Sequence, residues 1–219
     1  RDVLSRLIYG VQPTVVTGFV GGAIIIGIGM TVGVVAGYVG GWVESVLMRI
    51  TDFAYSVPTI PFAIVLVSFL EVGFFASIIV IGLILWRGNA RVLRSQVIQI
   101  KERPFILAAK ATGSSRIRII LKHILPNIAP MAALFFSLGV GYAILVNAGL
   151  AFIGVSSPFI PSWGVMIRNA YQSGTMVSAP WWSLPPGILI SLTVMSAFMI
   201  GRQLEDSDDD ERSVTGAGP

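Results

Sequence analysis

The sequence contains no cysteine, a single histidine and few charged residues. Of its 219 residues, 12% are charged and 54% are hydrophobic, whereas a soluble domain has about 25% charged residues. The absence of cysteine excludes disulfides, thiolate catalysis and cysteine-ligated metal centres. So few charges cannot cover a water-facing surface, which excludes an ordinary soluble enzyme and a nucleic-acid-binding domain despite a net charge of +4. The composition indicates an all-α membrane protein whose solvent is the lipid bilayer.

Five stretches are predicted to span the membrane, because each is almost free of formal charge. A spanning helix needs about 20 mostly apolar residues to cross a hydrocarbon core of about 30 Å. The charge pattern places the spans at residues 15–38, 60–70, 75–91, 126–150 and 186–200. Glu71, beside Gly73, is expected at the tip of a hairpin between the second and third spans.

The first predicted span is rich in glycine at spacings that favour close helix packing. Gly18 and Gly22, Gly29 and Gly33, and Gly33 and Gly37 are each separated by three residues. In lipid, such faces of small residues let two helix backbones approach closely. General helix packing is the favoured interpretation, and a pore-lining role for these glycines is the alternative.

The basic residues predict which loops face the cytoplasm, because short loops rich in lysine and arginine stay on that side. Residues 87–122 carry nine of the fifteen basic residues and one acid, Glu102. The nine are Arg87, Arg91, Arg94, Lys101, Arg103, Lys110, Arg116, Arg118 and Lys122. This loop, residues 40–57 and the C-terminal tail are expected to be cytoplasmic, and residues 151–185 external. The chain then starts outside with an odd number of spans, so we expect a further spanning helix upstream of Arg1.

The predicted spans contain no titratable residue at mid-membrane, which disfavours ion-coupled transport through this chain. His123 lies at the cytoplasmic end of the fourth span, and one histidine without a nearby carboxylate makes no metal site. We therefore interpret His123 as a structural interface residue. Arg49 and Asp52 are expected to neutralise one another near the inner surface. No serine has a candidate base and orienting acid, so we predict no enzyme activity, cofactor or metal site in this chain.

The basic loop contains the signals of two short helices joined by a sharp turn. Pro104 suits the first turn of a helix and Gly113 the residue just past its end, which predicts a helix of about nine residues that is too short to cross a membrane. Ser114 or Ser115 can cap a second helix. Its predicted apolar face consists of Ile117, Ile120, Leu121 and Ile124. Ala108, Ala109 and Ala111 leave one side of the first helix thin, so that it could seat in a groove on another protein.

The same loop resembles the cytoplasmic signature of ABC importer permeases, specifically the C-type subunit of the dipeptide, oligopeptide and nickel group. The signature falls on Leu107, Ala108, Ala109, Gly113, His123, Leu125 and Pro126. Leu107 stands where the family has Glu, and His123 where it has Ile. Further matches in family order are residues 1–7 and 36–41, Met48, Arg49, Asp52 and Pro58, residues 161–164, and Pro180 with Trp181.

The resemblance implies a type I ABC importer permease fold of six helices, whose first helix would precede residues 1–7. It also implies three kinds of partner: a homologous B-type permease, two cytoplasmic ATPase subunits that bind ATP and Mg, and an extracytoplasmic binding protein. In this family the short helix seats in a cleft of the ATPase. The residues expected to serve this contact are Leu107, Ala108, Ala109, Lys110, Ala111, Thr112 and Gly113, with His123, Leu125 and Pro126 completing the signature. The cargo would be a peptide or nickel, with selectivity resting largely on the binding protein.

Two further expectations concern the outer loop and the chain's organisation. Trp163, Trp181 and Trp182 could contact the binding protein or form an interfacial aromatic belt, and both interpretations stand. Residues 1–201 are expected to form the permease domain of a cell-membrane protein, with the coupling loop at about 101–126. Residues 202–219 are expected to be a disordered, acidic cytoplasmic tail. An ion-coupled secondary carrier and a non-transport membrane scaffold are the alternative functions.

Overall fold

The computed structural model describes residues 2–69, 73–156 and 159–214, with side chains through Leu204. Glu71, the predicted hairpin tip, lies outside the described residues. All regular secondary structure of the described residues is helical. The helices are α1 (Val3–Val39), α2 (Gly41–Ser56), α3 (Thr59–Phe69), α4 (Phe74–Leu85), α5 (Arg87–Lys101), α6 (Pro104–Ala111), α7 (Arg116–Ile119), α8 (Leu125–Ile153), α9 (Trp163–Gln172) and α10 (Pro180–Val214), with a π-helical turn at Ile120–Ile124 between α7 and α8.

The helix lengths agree with a membrane protein of several spans. Within the described residues, three continuous helical segments are long and apolar enough to cross a membrane, namely Val3–Val39, Arg116–Ile153 and Pro180–Leu204. Two bent pairs, α2 with α3 and α4 with α5, raise the number to five if each pair forms one span. The predicted all-helical membrane fold is confirmed, and this range includes the predicted five spans.

The chain forms two compact units, and α1 contributes to both. The first unit consists of Arg1–Ile24, Pro58–Leu85 and Ser137–Ile200. In this unit α1 packs closely on α8, because a Cβ atom added at Gly21 would lie 2.7 Å from the Cβ of Ala143. A Cβ added at Gly18 would lie 2.9 Å from the Ile144 side chain. The absence of side chains at these glycines is what permits the approach.

The second unit consists of Ile25–Val57, Trp86–Phe136 and Gly201–Pro219. Its core, which we call the aliphatic cluster, draws on α1, α5, α6, α7, the π-helical turn and α8. Its buried members are Val34, Leu93, Val97, Ile100, Ile106, Ile119, Ile124 and Ile128. The three glycines Gly29, Gly33 and Gly37 place α1 directly against the backbone of α5. The glycine pattern of the sequence therefore serves helix packing in both units.

The expected boundary of the tail differs from the structure. We expected disorder from Arg202 onward, but α10 continues through the acidic residues to Val214. Residues 202–214 contain neither glycine nor proline, so no helix-breaking residue interrupts the hydrogen-bond pattern that α10 has already established. Residues 215–219 of the predicted tail lie outside the described residues.

Candidate functional site

Helix α6 has the boundaries that the sequence predicts. Pro104 is its first residue, and Arg103 precedes it in an extended conformation. At the other end, Gly113 adopts a φ of 80°, a left-handed conformation that glycine reaches without steric cost. The backbone N–H groups of Gly113 and Ser114 donate to the carbonyls of Lys110 and Ala109, both at 3.0 Å. This pair of bonds is a Schellman motif, which ends the helix and turns the chain sharply.

One side of α6 is anchored and the other is exposed. Ile106 is fully buried in the aliphatic cluster, and Ala109 packs against the same cluster. Leu107, by contrast, is 48% exposed. The remaining exposed residues of the predicted contact are Ala108, Lys110, Ala111, Thr112 and Gly113. Ala109, which we expect to seat against the ATPase, is half-buried and also packs on the chain's own core, because it lies one helical turn from Ile106.

Helix α7 begins at the predicted cap, but only part of the predicted apolar face is buried. The Ser115 hydroxyl accepts a hydrogen bond from the backbone N–H of Arg118 at 3.3 Å. Ile124 is buried and Ile120 packs against the aliphatic cluster, as expected, whereas Ile117 and Leu121 are 70% and 60% exposed. A buried residue that the prediction missed, Ile119, takes their place in the aliphatic cluster.

The π-helical turn explains this change of face. Its i→i+5 hydrogen bonds place one more residue in the turn than an α-helix would. Ile119 and Ile124, five residues apart, are therefore both buried. The assumed α-helical spacing would instead have paired Ile117 with Leu121.

The remaining signature residues lie in the π-helical turn and at the start of α8. The His123 ring packs at 6.2 Å, centroid to centroid, from the ring of Phe105 on α6. The His123 carbonyl accepts a hydrogen bond from the Asn127 side chain at 2.7 Å. Leu125 packs against the aliphatic cluster, while Pro126 is exposed. These contacts agree with the interpretation of His123 as a structural residue that helps to fix α6.

A cleft beside α6 carries positive charge. It has a volume of about 410 Å³, and no acidic residue lines it in the part of the chain that the structure describes. Its lining residues are Tyr38, Val39, Lys110, Ser114, Arg116 and Ile119. Two cations and two hydroxyl groups thus surround the turn that follows the exposed helix, which suits contact with carboxylates.

Several basic residues of the loop are engaged in ion pairs with α2. Arg91 contacts Asp52 at 2.7 Å, which corrects the expected pairing of Asp52 with Arg49. The Arg94 guanidinium binds Glu44, with Nε donating to Oε1 at 2.7 Å. The Arg91 guanidinium also lies 4.4 Å from the centre of the Tyr55 ring. These contacts between α2 and α5, which sequence reasoning missed, hold α5 in the second unit.

The three tryptophans that the sequence predicts on the outer side fall into two groups. Trp163 is only 3% exposed, and its indole N–H donates to the carbonyl of Leu7 at 3.0 Å. A Cβ added at Gly10 would lie 2.8 Å from the Trp163 ring. The ring therefore packs directly against α1 at a position where glycine has no side chain. Trp163 is therefore a core residue, and its side chain offers almost no surface for either interpretation, a contact with the binding protein or an aromatic belt. Trp181 is 63% exposed and Trp182 is partly exposed, so both can still meet a partner.

The fold and the loop together define a multi-pass helical membrane subunit that presents a short, anchored helix outside its spans. Residues 29–206 match the family of binding-protein-dependent transport system inner membrane components. The chain belongs to this family, and the resemblance inferred from the sequence is confirmed.

Individual relatives agree with this assignment. The chain is 39% identical over 212 residues to the dipeptide transport system permease protein DppC of Alkalihalophilus pseudofirmus, covering 95% of this chain and 68% of that protein. It is 34% identical over 210 residues to the oligopeptide transport system permease protein OppC of Haemophilus influenzae, covering 95% and 67%. The chain thus spans about two thirds of the length of these relatives. An inward-facing structure of the MetNI methionine ABC transporter shares its fold, with a TM-score of 0.75 at 20% identity, covering 93% of this chain and 96% of that one.

Proposed function

We propose that this chain is a permease subunit of an ATP-driven importer of short peptides. The observation that carries the proposal is α6, an exposed helix fixed by Ile106 and ended by Gly113, within a chain 39% identical to a dipeptide permease. The names of its relatives, dipeptide and oligopeptide permeases, favour peptides as cargo. The partners would be a second permease subunit, two ATPase subunits and a binding protein outside the membrane.

In this proposal α6 transmits the movement of the ATPase to the spans. Its exposed face, with Leu107, Ala108 and Ala111, would seat in the ATPase. Its buried face contacts the aliphatic cluster through Ile106, so a displacement of α6 must disturb α5 and α8 as well. ATP binding can favour one arrangement of the permease only if the ATPase interacts differently with the permease in its two arrangements. A helix that touches both proteins supplies that difference.

The charge of the cleft beside α6 favours an acidic surface on the ATPase. Leu107 replaces the Glu of the family signature, so α6 itself offers no carboxylate to the partner. Lys110 and Arg116 line the cleft instead. We infer that the ATPase surface facing α6 carries carboxylates that contact these two cations, and that this attraction weakens as salt is raised.

Reconstitution of all subunits in proteoliposomes tests the proposed function. We expect uptake of a labelled dipeptide that requires the binding protein and ATP, and ATP hydrolysis that rises when the loaded binding protein is added. Uptake that proceeds without ATP but follows an ion gradient would identify a secondary carrier instead. Absence of dipeptide uptake in an assembled complex that contains every subunit would favour a scaffold.

The proposal requires α6 to face the cytoplasm, and single cysteines can test this because the chain has none of its own. Ala111→Cys places a thiol on the exposed side of α6, and Val177→Cys places one at a residue that is 93% exposed in the opposite loop. We expect an impermeant thiol reagent added to intact cells to label Val177→Cys and not Ala111→Cys. Both thiols should react after permeabilisation. Labelling of Ala111→Cys alone in intact cells would reverse the topology.

A further inference from the structure

The first unit contains a cavity of about 600 Å³ at the start of α1. It lies between the first turns of α1, the chain before α9, α9 itself and the beginning of α10. Its lining residues are Ser5, Arg6, Tyr9, Phe159, Pro161, Val165, Met166, Asn169, Gln172, Ser173 and Trp182. The volume is within the range of sites for small ligands, about 300–1,000 Å³.

Arg6 is the only charged residue that lines this cavity, and it has no ion pair or hydrogen-bond partner among the described residues. The acid nearest in sequence, Asp2, is occupied elsewhere, because its carboxylate accepts hydrogen bonds from the Ser5 backbone N–H at 3.1 Å and hydroxyl at 2.5 Å. Arg6 therefore lines the cavity with five guanidinium donors, none of which is bound to an acceptor of the described residues.

The rest of the lining is neutral, and it combines amides with aromatic rings. Asn169 and Gln172 of α9 offer both donors and acceptors, while Tyr9 and Trp182 provide ring surfaces. A second cavity, of about 240 Å³, shares Arg6 and Trp182 and adds Val3 and Trp181. Arg6 and Trp182 thus line two adjoining spaces, and two tryptophans, Trp181 and Trp182, line the smaller one.

We propose that this cavity binds the C-terminal carboxylate of a short peptide through Arg6. A carboxylate carries one negative charge, which a single guanidinium balances with two parallel hydrogen bonds. The side-chain amides of Asn169 and Gln172 can form hydrogen bonds with the peptide group next to this carboxylate. The rings of Tyr9 and Trp182 can pack against an apolar side chain of the peptide. A phosphate carries about 1.5 to 2 negative charges at pH 7, which a single guanidinium balances only in part. The inference rests on the proposed function, since it places a peptide site on the permease itself.

Equilibrium dialysis of the purified complex, without binding protein, tests the site with two probes. The first probe is the labelled dipeptide alanyl-phenylalanine, and the second is the same dipeptide with a C-terminal amide in place of the carboxylate. We expect the free acid to bind about 10- to 100-fold more tightly, as for a hydrogen-bonded charge pair. In Arg6→Gln this preference should disappear, whereas the control Arg202→Gln, at an exposed position of α10, should keep it.

The outcomes separate this inference from the proposed function. If the complete wild-type system transports the dipeptide but the permease complex binds acid and amide equally, the carboxylate site is wrong and the importer stands. If the preference survives in Arg6→Gln, Arg6 is not its cause and the site is wrong. Displacement of the dipeptide by equimolar inorganic phosphate would also overturn the carboxylate site.

If the wild-type system transports no peptide, the importer proposal fails, and a retained preference for the acid still supports the site. Arg6→Lys, which keeps the charge, should retain part of the preference and controls for misfolding.

Discussion

Replacing Ile106 by alanine is expected to abolish most ATP-driven uptake while the spans remain inserted in the membrane. Ile106 is the residue of α6 that is fully buried in the aliphatic cluster. Truncating a buried isoleucine to alanine costs about 2–5 kcal/mol, because apolar contact is lost and a cavity is left. The lost free energy weakens the attachment of α6 to the aliphatic cluster, since the opposite side of α6, with Leu107, Ala108 and Ala111, is exposed.

A helix that is detached from the cluster can still touch the ATPase, but it no longer moves α5 and α8 with it. We therefore expect basal ATP hydrolysis to persist, while stimulation by loaded binding protein and uptake fall by at least about tenfold, the equivalent of 1.4 kcal/mol. Ile106→Val removes a single methylene and costs about 0.5–1.5 kcal/mol, so its loss of uptake should be intermediate. Basal ATP hydrolysis, its stimulation and uptake are all measured in proteoliposomes that contain all partner subunits.

Ile117→Ala is the matched control, because Ile117 is 70% exposed and lies nearby on α7. It makes the same chemical change outside the cluster, and its uptake should stay near the wild-type value. Co-purification of the partner permease checks that each variant assembles. Normal stimulation in an assembled Ile106→Ala complex would contradict the role of α6, as would an equal loss in Ile117→Ala.

The boundaries of α6 could be predicted because local signals determine them. Pro104 cannot donate a backbone hydrogen bond and therefore suits the first turn, where none is needed. Gly113 can adopt the positive φ that a Schellman turn requires. Both properties belong to single residues, so the sequence contains them without any knowledge of the rest of the fold. A Cβ added at Gly113 would meet nothing within 4 Å, which shows that the requirement is one of backbone conformation alone.

The buried face of α7 could not be predicted, because it depends on the tertiary structure. The assumption of 3.6 residues per turn placed Ile117 and Leu121 on the buried face with Ile120 and Ile124. With the π-helical turn at Ile120–Ile124, Ile119 is buried instead of Ile117 and Leu121. The gain is the burial of Ile119 and Ile124 in a cluster built from residues far apart in sequence. No residue type in this stretch marks a π-helical turn in advance.

Trp163 and Asp52 illustrate the same limit for side chains. The frequency of tryptophan at membrane interfaces predicts a surface position for Trp163, but its indole N–H donates to Leu7, 156 residues away. Proximity in sequence predicts that Asp52 pairs with Arg49, whereas its partner Arg91 is 39 residues away. Residues that meet only through the fold leave no spacing rule in a single sequence.

The glycines of α1 provide a second prediction with a large effect and an internal control. An alanine Cβ at Gly33 would lie 2.7 Å from the carbonyl oxygen of Ala90 and 3.0 Å from the Cβ of Leu93. At Gly27, on the same helix, an added Cβ meets nothing within 4 Å. In a helix interior, alanine is intrinsically favoured over glycine by about 1 kcal/mol. The two substitutions should therefore change stability in opposite directions.

We expect Gly27→Ala to be neutral or to stabilise the chain by up to about 1 kcal/mol. Gly33→Ala should destabilise it by about 1–3 kcal/mol, because α1 must move away from the α5 backbone to admit the methyl group. Gly33→Leu should prevent α1 from packing on α5, with loss of the monodisperse complex in detergent, whereas Gly27→Leu should still assemble. Thermal unfolding and gel filtration of the purified complex measure both effects. A shift of the same sign and size for Gly27→Ala and Gly33→Ala would mean that helix propensity, and not the close approach of α1 to α5, governs these positions.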